Sequence, residues 1–152
     1  MRRPQIIAAI AVVLVLFLAI SALLARVFSA DGAERSAITA LIEAEAHGNQ
    51  SGMLDRITGC RASAACHARV ASDIAALKHP GTVSIIQLQP STGFSLTGTT
   101  GTARVAWNVG GSLPIVQCVR VRRAGNVLRG LRVELLTISR RIGSEKSCPA
   151  QF

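Results

Sequence analysis

The sequence predicts an α+β fold, with an N-terminal transmembrane helix followed by helices packed on a curved antiparallel sheet. Three observations lead to this fold class. Residues 6–25 form an unbroken apolar run, residues 31–78 place apolar side chains at helical spacing, and after Gly81 the apolar period changes to two. Helices followed by consecutive strands are typical of domains in which the helices cover one face of the sheet.

The apolar run of residues 6–25 is long enough to cross a bilayer, because twenty helical residues span about 30 Å. Arg2 and Arg3 precede the run and favour a cytoplasmic N-terminus, which places the C-terminal domain outside the cytoplasm. We therefore predict a cytoplasmic tail and transmembrane anchor at residues 1–30. A cleaved signal peptide is the alternative, although the run is longer than usual and Phe28 occupies a position where a cleavage site favours small residues.

The chain has 152 residues and a net charge of +9, of which about +6 lies beyond residue 30. One domain at residues 31–142 accounts for the remaining length. An exported basic domain meets anionic lipid headgroups or acidic envelope polymers, so we expect no nucleic-acid partner. The alternative is a solvated basic surface without a dedicated partner.

Four cysteines lie beyond the apolar run, at Cys60, Cys66, Cys118 and Cys148. An even number in an exported domain favours disulfides, and three pairings are possible. We favour Cys60 with Cys66, which are close in sequence, and Cys118 with Cys148, which would tie the C-terminal tail at residues 143–152 to a strand. The Cys60 to Cys66 spacing is too wide for the usual zinc pattern, so no metal site is expected.

The first soluble helix is predicted at residues 31–47. Asp31 is a plausible N-cap with Glu34 three residues later, and Gly48 follows as a C-terminal stop. This helix is expected to follow the membrane helix with almost no linker, which would hold the domain close to the bilayer. Two further helices are predicted, at residues 53–58 and 63–78.

The remaining residues predict an antiparallel meander of short strands. Ala103, Val105 and Trp107 alternate with polar residues and therefore face the core. The last strand is expected to bend or bulge near Gly130. The predicted strands cover residues 82–89, 94–100, 102–109, 113–123 and 127–141.

This order of elements resembles the nuclear transport factor 2-like superfamily, whose cystatin-like α+β fold forms a cone. The segments RRAGN at residues 122–126 and GLRVELL at residues 130–136 are similar to its final hairpin. The likeness covers residues 31–142 and depends on element order. A single anchoring helix before such a domain is similar to small actinobacterial envelope proteins, including those associated with mammalian-cell-entry lipid transport. The resemblance implies a sheet and helices that can enclose a pocket.

Catalytic members of this superfamily commonly place an Asp and a His inside the cone. The resemblance therefore directs attention to Asp55, Asp73 and His67, although no spacing requires them to converge and we assign no catalytic residue. Trp107 and Phe94 are expected on the inner sheet face, either as core or as pocket lining. No cofactor is expected.

Four arginines form a possible basic surface on the last strands: Arg120, Arg122, Arg132 and Arg140. Alternation places Arg120 and Arg122 on one face, where a neighbouring strand would add the other two. Such a stripe would hold anionic lipid if it faced the bilayer. The alternative is a solvated face on which Glu134 pairs with the arginines.

These features favour a non-catalytic, membrane-anchored extracytoplasmic module that binds or assembles with a protein of the bacterial envelope. Contact with the bilayer would run through residues 6–25. The first alternative is a carrier for a small apolar ligand, or a weak hydrolase or isomerase, that uses the cone pocket. The second is a small cationic protein secreted after cleavage near Ala30.

Overall fold

The computed structural model describes residues 3–91, 97–126 and 128–152. It is an α+β structure whose four strands form one antiparallel sheet in the order β1-β2-β3-β4. Its elements are α1 (Arg3–Ala46), α2 (Gln50–Arg56), a short 3-10 helix (Cys60–Ala62), α3 (Ala64–Leu77), β1 (Val83–Gln89), β2 (Thr97–Val109), β3 (Ile115–Asn126) and β4 (Gly130–Ile138).

Helix α1 is continuous over 44 residues, a length of about 66 Å. The prediction of an N-cap at Asp31 is therefore wrong, because Asp31 lies inside the helix. The surrounding residues explain the continuity, since Ala30 and Ala33 are strong helix formers and Gly32 alone does not break a helix fixed by tertiary packing. The Asp31 carboxylate pairs instead with Arg123 on the sheet.

The two halves of α1 lie in different surroundings. Among the described residues, α1 is the helix long and apolar enough to cross a membrane, and none of the residues in its most apolar stretch is buried. The second half is packed against the sheet through a stripe at three- and four-residue spacing. That stripe consists of Val27, Ala30, Glu34, Ile38, Leu41 and Glu45.

Short polar caps set the starts of α2 and α3. The Asn49 side chain accepts a hydrogen bond from the Gly52 amide at 2.8 Å, so α2 begins earlier than the predicted residue 53. The Ser63 hydroxyl caps α3 by accepting from the Cys66 amide at 3.3 Å, in agreement with a helix predicted from residue 63. A disulfide between Cys60 and Cys66 joins the 3-10 helix to α3.

The described residues form four strands where five were predicted, and the last strand, β4, ends at Ile138 and is shorter than the predicted 127–141. Strand β2 runs through Gly101 as one strand, where we expected two, and Phe94 lies outside the described residues. Strand β4 begins at Gly130, which has a positive φ of 101° at the end of the hairpin turn. The predicted irregularity is not there: the register of β3 against β4 shifts between Arg120 and Val121 instead.

The core lies between the inner face of the sheet and the helices. The inward face predicted for β2 is confirmed, since Ala103, Val105 and Trp107 are fully buried, and Val119 and Val121 of β3 join them. The core cluster extends across the soluble half of α1, α2 and α3. Trp107, the only tryptophan in the chain, is thus a spectroscopic probe of the folded core.

The C-terminal tail crosses the outer face of the sheet. A disulfide joins Cys148 to Cys118 on β3, so the two bonds are the pairs that we favoured from sequence spacing. The Ile142 amide donates to the Val116 carbonyl at 2.8 Å. Arg104 and Arg120 donate to the carbonyls of Ser144 and Ala150, so the tail covers part of this face.

We expect the double variant C118S/C148S to release the tail, because the disulfide closes a long loop and stabilises the fold by roughly 4 kcal/mol in a chain-entropy treatment. Trypsin should then cleave after Lys146, an exposed tail residue, much faster than in the wild type, as followed by mass spectrometry. The matched control is C60S/C66S, which removes the other disulfide. Equal cleavage rates for wild type and C118S/C148S would contradict a tail held by this bond.

Candidate functional site

Two polar clusters are buried beside the soluble half of α1. We call the first the clamp, made of Asp31, Glu34, Ser91 and Arg123. The second is the core carboxyl pair, Glu45 and Asp73. Glu34 meets the far end of β3, whereas Glu45 meets Gln117 near its start, so α1 runs antiparallel to β3.

The clamp is a buried arginine between two carboxylates of α1. Arg123 Nε donates to Glu34 Oε2 at 2.9 Å and Arg123 Nη2 donates to the same oxygen at 2.7 Å and to Asp31. Glu34 also accepts from the Ser91 amide at 2.6 Å and from its hydroxyl at 3.0 Å. The clamp therefore joins α1, β3 and the residues after β1.

Burial of the clamp strongly constrains the position of α1 relative to β3. The side chains of Arg123 and Glu34 are 1% and 0% exposed, so each charge depends on the other for compensation. Burial alone lowers the pKa of Arg123, but its bonds to Glu34 and Asp31 outweigh that effect and raise the pKa. Gly98 fits this arrangement, because a Cβ there would lie 2.8 Å from the Arg123 carbonyl oxygen.

Glu45 is a buried carboxyl group without a cationic partner among the contacts described. Its Oε1 accepts from Gln117 Nε2 at 2.8 Å, and Gln117 Oε1 in turn accepts from Trp107 Nε1 at 2.8 Å. Its Oε2 has no hydrogen-bond partner among the described residues. Burial raises the pKa of Glu45 to about 8, the bond from Gln117 opposes this shift, and the charge of Asp73 adds to it.

Asp73 lies on the buried side of α3. Burial raises its pKa to about 6, and the positive charges of Arg69 and Arg140 partly oppose that shift. Its Oδ2 also lacks a partner in the described part of the chain. Glu45 and Asp73 therefore bind and release protons in a pH range where ordinary carboxyl groups stay ionised.

An open groove lies beside α3, the helix that carries Asp73. That groove, of about 300 Å³, runs between α3, β4 and the tail, and its lining includes Cys66, Arg69, Thr137 and Phe152. Neither Glu45 nor Asp73 lines it. No group of three or more His, Cys, Asp or Glu side chains suited to a metal ion occurs in the described residues.

The residues predicted to line a pocket lie in different environments. Asp55 is exposed and forms an ion pair with Arg61, whose hydrogen bond holds the pKa of Asp55 below its usual value. His67 Nε2 lies 3.1 Å from the Arg61 carbonyl oxygen, so Asp55 and His67 meet the same arginine at the surface. Asp73 is buried, and Trp107 is part of the filled core.

The four arginines of the predicted basic surface have different partners. Arg122 pairs with Glu134, with Nε to Oε2 at 2.7 Å. Arg120 donates to the tail and its guanidinium lies 5.4 Å from the Phe152 ring centroid. Arg132 lies opposite Ala124 on the same face as Arg122. Arg140 follows β4, and its positive charge partly opposes the rise in the pKa of Asp73.

Sequence reasoning missed the role of Arg123. The sequence does contain a sign of this role, because Arg123 follows Val119 and Val121 at two-residue spacing and therefore lies on the same inward face of β3. An arginine at an inward position predicts a buried partner. Glu34 and Glu45 likewise share the apolar stripe of α1, where a carboxyl group needs compensation or a proton.

Comparisons with protein-family models, with curated proteins and with solved structures find no match for this chain.

We expect Arg123→Met to destabilise the protein by about 3–5 kcal/mol, because it leaves Glu34 buried without its counter-charge. The measurement is urea unfolding of the full chain in detergent, followed by Trp107 fluorescence. The matched control is Arg122→Met, the adjacent residue, whose exposed pair with Glu134 contributes less than about 1 kcal/mol. Similar losses in the two variants would rule out a dominant clamp.

We expect stability to fall as pH rises from about 4.5 to 8, because folded Glu45 holds a proton that the unfolded chain releases across that window. Asp73 adds the same sign of slope below about pH 6. Glu45→Gln should remove most of the slope above pH 6, an effect on the order of a few kcal/mol at pH 8. Urea midpoints at a series of pH values test this.

The control for this pH series is Glu43→Gln, which changes an exposed carboxyl group on the same helix. Its urea midpoints should follow the wild-type curve. A Glu45→Gln curve that coincides with the wild type would show that Glu45 is ionised in the folded protein at neutral pH.

Proposed function

We propose that the protein is a membrane-anchored, extracytoplasmic binding or assembly module of a bacterial cell envelope. The observation that carries this proposal is the continuity of α1. Its first half is exposed and apolar, and its second half is the central helix of a folded core. One rigid element therefore joins a candidate membrane span to a domain.

The proposed topology has the N-terminus in the cytoplasm and a single pass through residues 6–25. Arg2 and Arg3 support this orientation by the positive-inside rule. The two disulfides support it independently, because such bonds persist in oxidising compartments outside the cytoplasm. Cleavage near Ala30, as in a secreted protein, would cut α1 within its buried stripe and remove Val27 from the packed region.

The soluble part fits the proposed nuclear transport factor 2-like cone in the order of its elements. Three helices precede an antiparallel meander, and the helices pack on its inner face. Trp107 and its neighbours fill the space in which a cone pocket would lie. A filled interior, together with Asp55 engaged by Arg61, favours a binding module over an enzyme of this class.

Strand β1 offers a surface for a protein partner. It lies at one edge of the sheet, whereas the opposite edge strand β4 is partly covered by Ile57, which bridges to Leu135. Ile86 sits at a register shift of β1 and is 54% exposed. An edge strand with an exposed apolar residue is a common docking place for a strand of another chain.

The second candidate is a carrier of a small apolar ligand, or a weak hydrolase or isomerase. The observation that favours it is the core carboxyl pair, whose raised pKa values are typical of proton-transfer groups. This candidate needs the core near Trp107 to open, because no groove described here reaches Glu45 or Asp73.

We expect a photocrosslinking amino acid placed at Ile86 to capture a discrete envelope protein in the native membrane. The matched control is the same group at Leu113, which is 80% exposed on the turn after β2, at one end of the strands. Mass spectrometry identifies the adducts. Protein adducts at neither position, together with a co-purifying lipid or small apolar molecule, would replace the binding module by the carrier. A mature N-terminus near Ala30 would replace it by the secreted protein.

A further inference from the structure

The turn between β3 and β4 reaches back to the apolar half of α1. Arg26 Nη1 donates to the Leu128 carbonyl at 2.6 Å. Leu128 also faces an open, mainly apolar groove of about 340 Å³, lined on the helix side by Ala19, Ala22, Leu23 and Arg26. The folded domain therefore contacts α1 one residue beyond the segment proposed to span the bilayer, and the groove beside Leu128 extends along the last turns of that segment.

The backbone amides of Leu128 and Arg129 share one hydrogen-bond acceptor. The Asn126 side-chain oxygen accepts from the Leu128 amide at 3.1 Å and from the Arg129 amide at 2.9 Å. These bonds fix the backbone that presents both side chains. Leu128 is 76% exposed, and Arg129 is exposed beside it.

The depth of the turn follows from the helix geometry. Ala19 lies six residues before the end of the apolar run at Ala25, a distance of about 9 Å along the axis, and Leu23 lies about 3 Å before that end. Since α1 is unbroken, no linker can move the turn away from this level. Leu128 therefore lies at the boundary between the acyl chains and the headgroups when residues 6–25 span the membrane.

We propose that the turn after β3 is a second membrane contact, in which Leu128 inserts between acyl chains and Arg129 binds the phosphate of an anionic phospholipid. The proposal rests on the proposed membrane anchor. Phe28, which is 69% exposed, lies about 4.5 Å beyond the end of the apolar run along α1 and adds an apolar group on the headgroup side of Leu128. The groove beside Leu23 is open to one acyl chain of the bound lipid, and Arg26 lies at its headgroup end.

Exposure alone does not distinguish this turn, because Leu113 is as exposed on the turn between β2 and β3. The two turns lie at opposite ends of β3, which has 12 residues and a length of about 40 Å. Leu113 is thus held far from the bilayer by the same geometry that places Leu128 in it. The pair provides a matched comparison within one protein.

The test uses spin labels on the full chain in vesicles of phosphatidylcholine and phosphatidylglycerol. All four native cysteines are in disulfides, so a single new thiol at Leu128, Leu113 or Leu16 takes the label. The accessibility of each label to oxygen and to a water-soluble nickel chelate reports its depth. We expect the label at Leu16 to be deep, that at Leu128 to lie just below the phosphates and that at Leu113 to be in water.

The outcomes separate this inference from the anchor on which it rests. A label at Leu128 that is as accessible to nickel as the one at Leu113, with Leu16 still deep, overturns the turn contact and leaves the anchor intact. It would also make the turn available to an acidic soluble partner instead. Nickel access at Leu16 overturns the anchor and the turn contact together.

Removing the charge of the lipid or of Arg129 tests whether the turn recognises an anionic headgroup. In vesicles of phosphatidylcholine alone, and in Arg129→Gln with both lipids, the label at Leu128 should shift towards water by a similar amount. Arg141→Gln is the control, because Arg141 is exposed and donates to the Pro114 carbonyl at the opposite end of the sheet. A depth at Leu128 that is insensitive to both changes excludes recognition of anionic lipid.

Discussion

The structure depends on the clamp between α1 and β3. Arg123 is held by two carboxylates of the helix, and Glu34 also accepts two bonds from Ser91 beyond β1. A buried charge network tolerates little displacement, because any separation leaves ions without compensation in a medium of low polarity. The position of α1 on the sheet, and with it the direction in which the apolar half of the helix leaves the domain, follows from this contact.

The two buried glutamates of α1 lie on one face of the helix but have partners of different charge. Glu34 meets a guanidinium group and hydroxyl and amide donors, whereas Glu45 meets the neutral amide of Gln117. Burial therefore favours the protonated form at Glu45, whose pKa is about 8. The packed half of α1 is fixed by charge where it adjoins the candidate membrane span, and at its other end by the hydrogen bonds from Gln117 to Glu45 and from Trp107 to Gln117.

The sequence predicted the features that depend on local pattern. Apolar length predicted the candidate span, periodicity predicted the helices and the inward face of β2, and cysteine spacing favoured the pairs that the structure contains. Features that depend on distant contacts were not predicted. Asp31 looks like an N-cap locally, and its partner inside α1 is Arg123, 92 residues later, which no local pattern reveals. The position of the register shift between β3 and β4 and the contacts of Arg104 and Arg120 with the tail likewise depend on cross-strand packing.

The absence of a break in α1 has a mechanical consequence. A hinge between span and domain would let the domain turn freely, but α1 passes from one to the other as one uninterrupted helix. In the proposed anchored state, α1 and the sheet therefore move as one rigid body that tilts about a point at the membrane surface. A partner that pulls the domain sideways would tilt residues 6–25 and displace the cytoplasmic end in the opposite direction, so the chain can transmit a displacement across the bilayer.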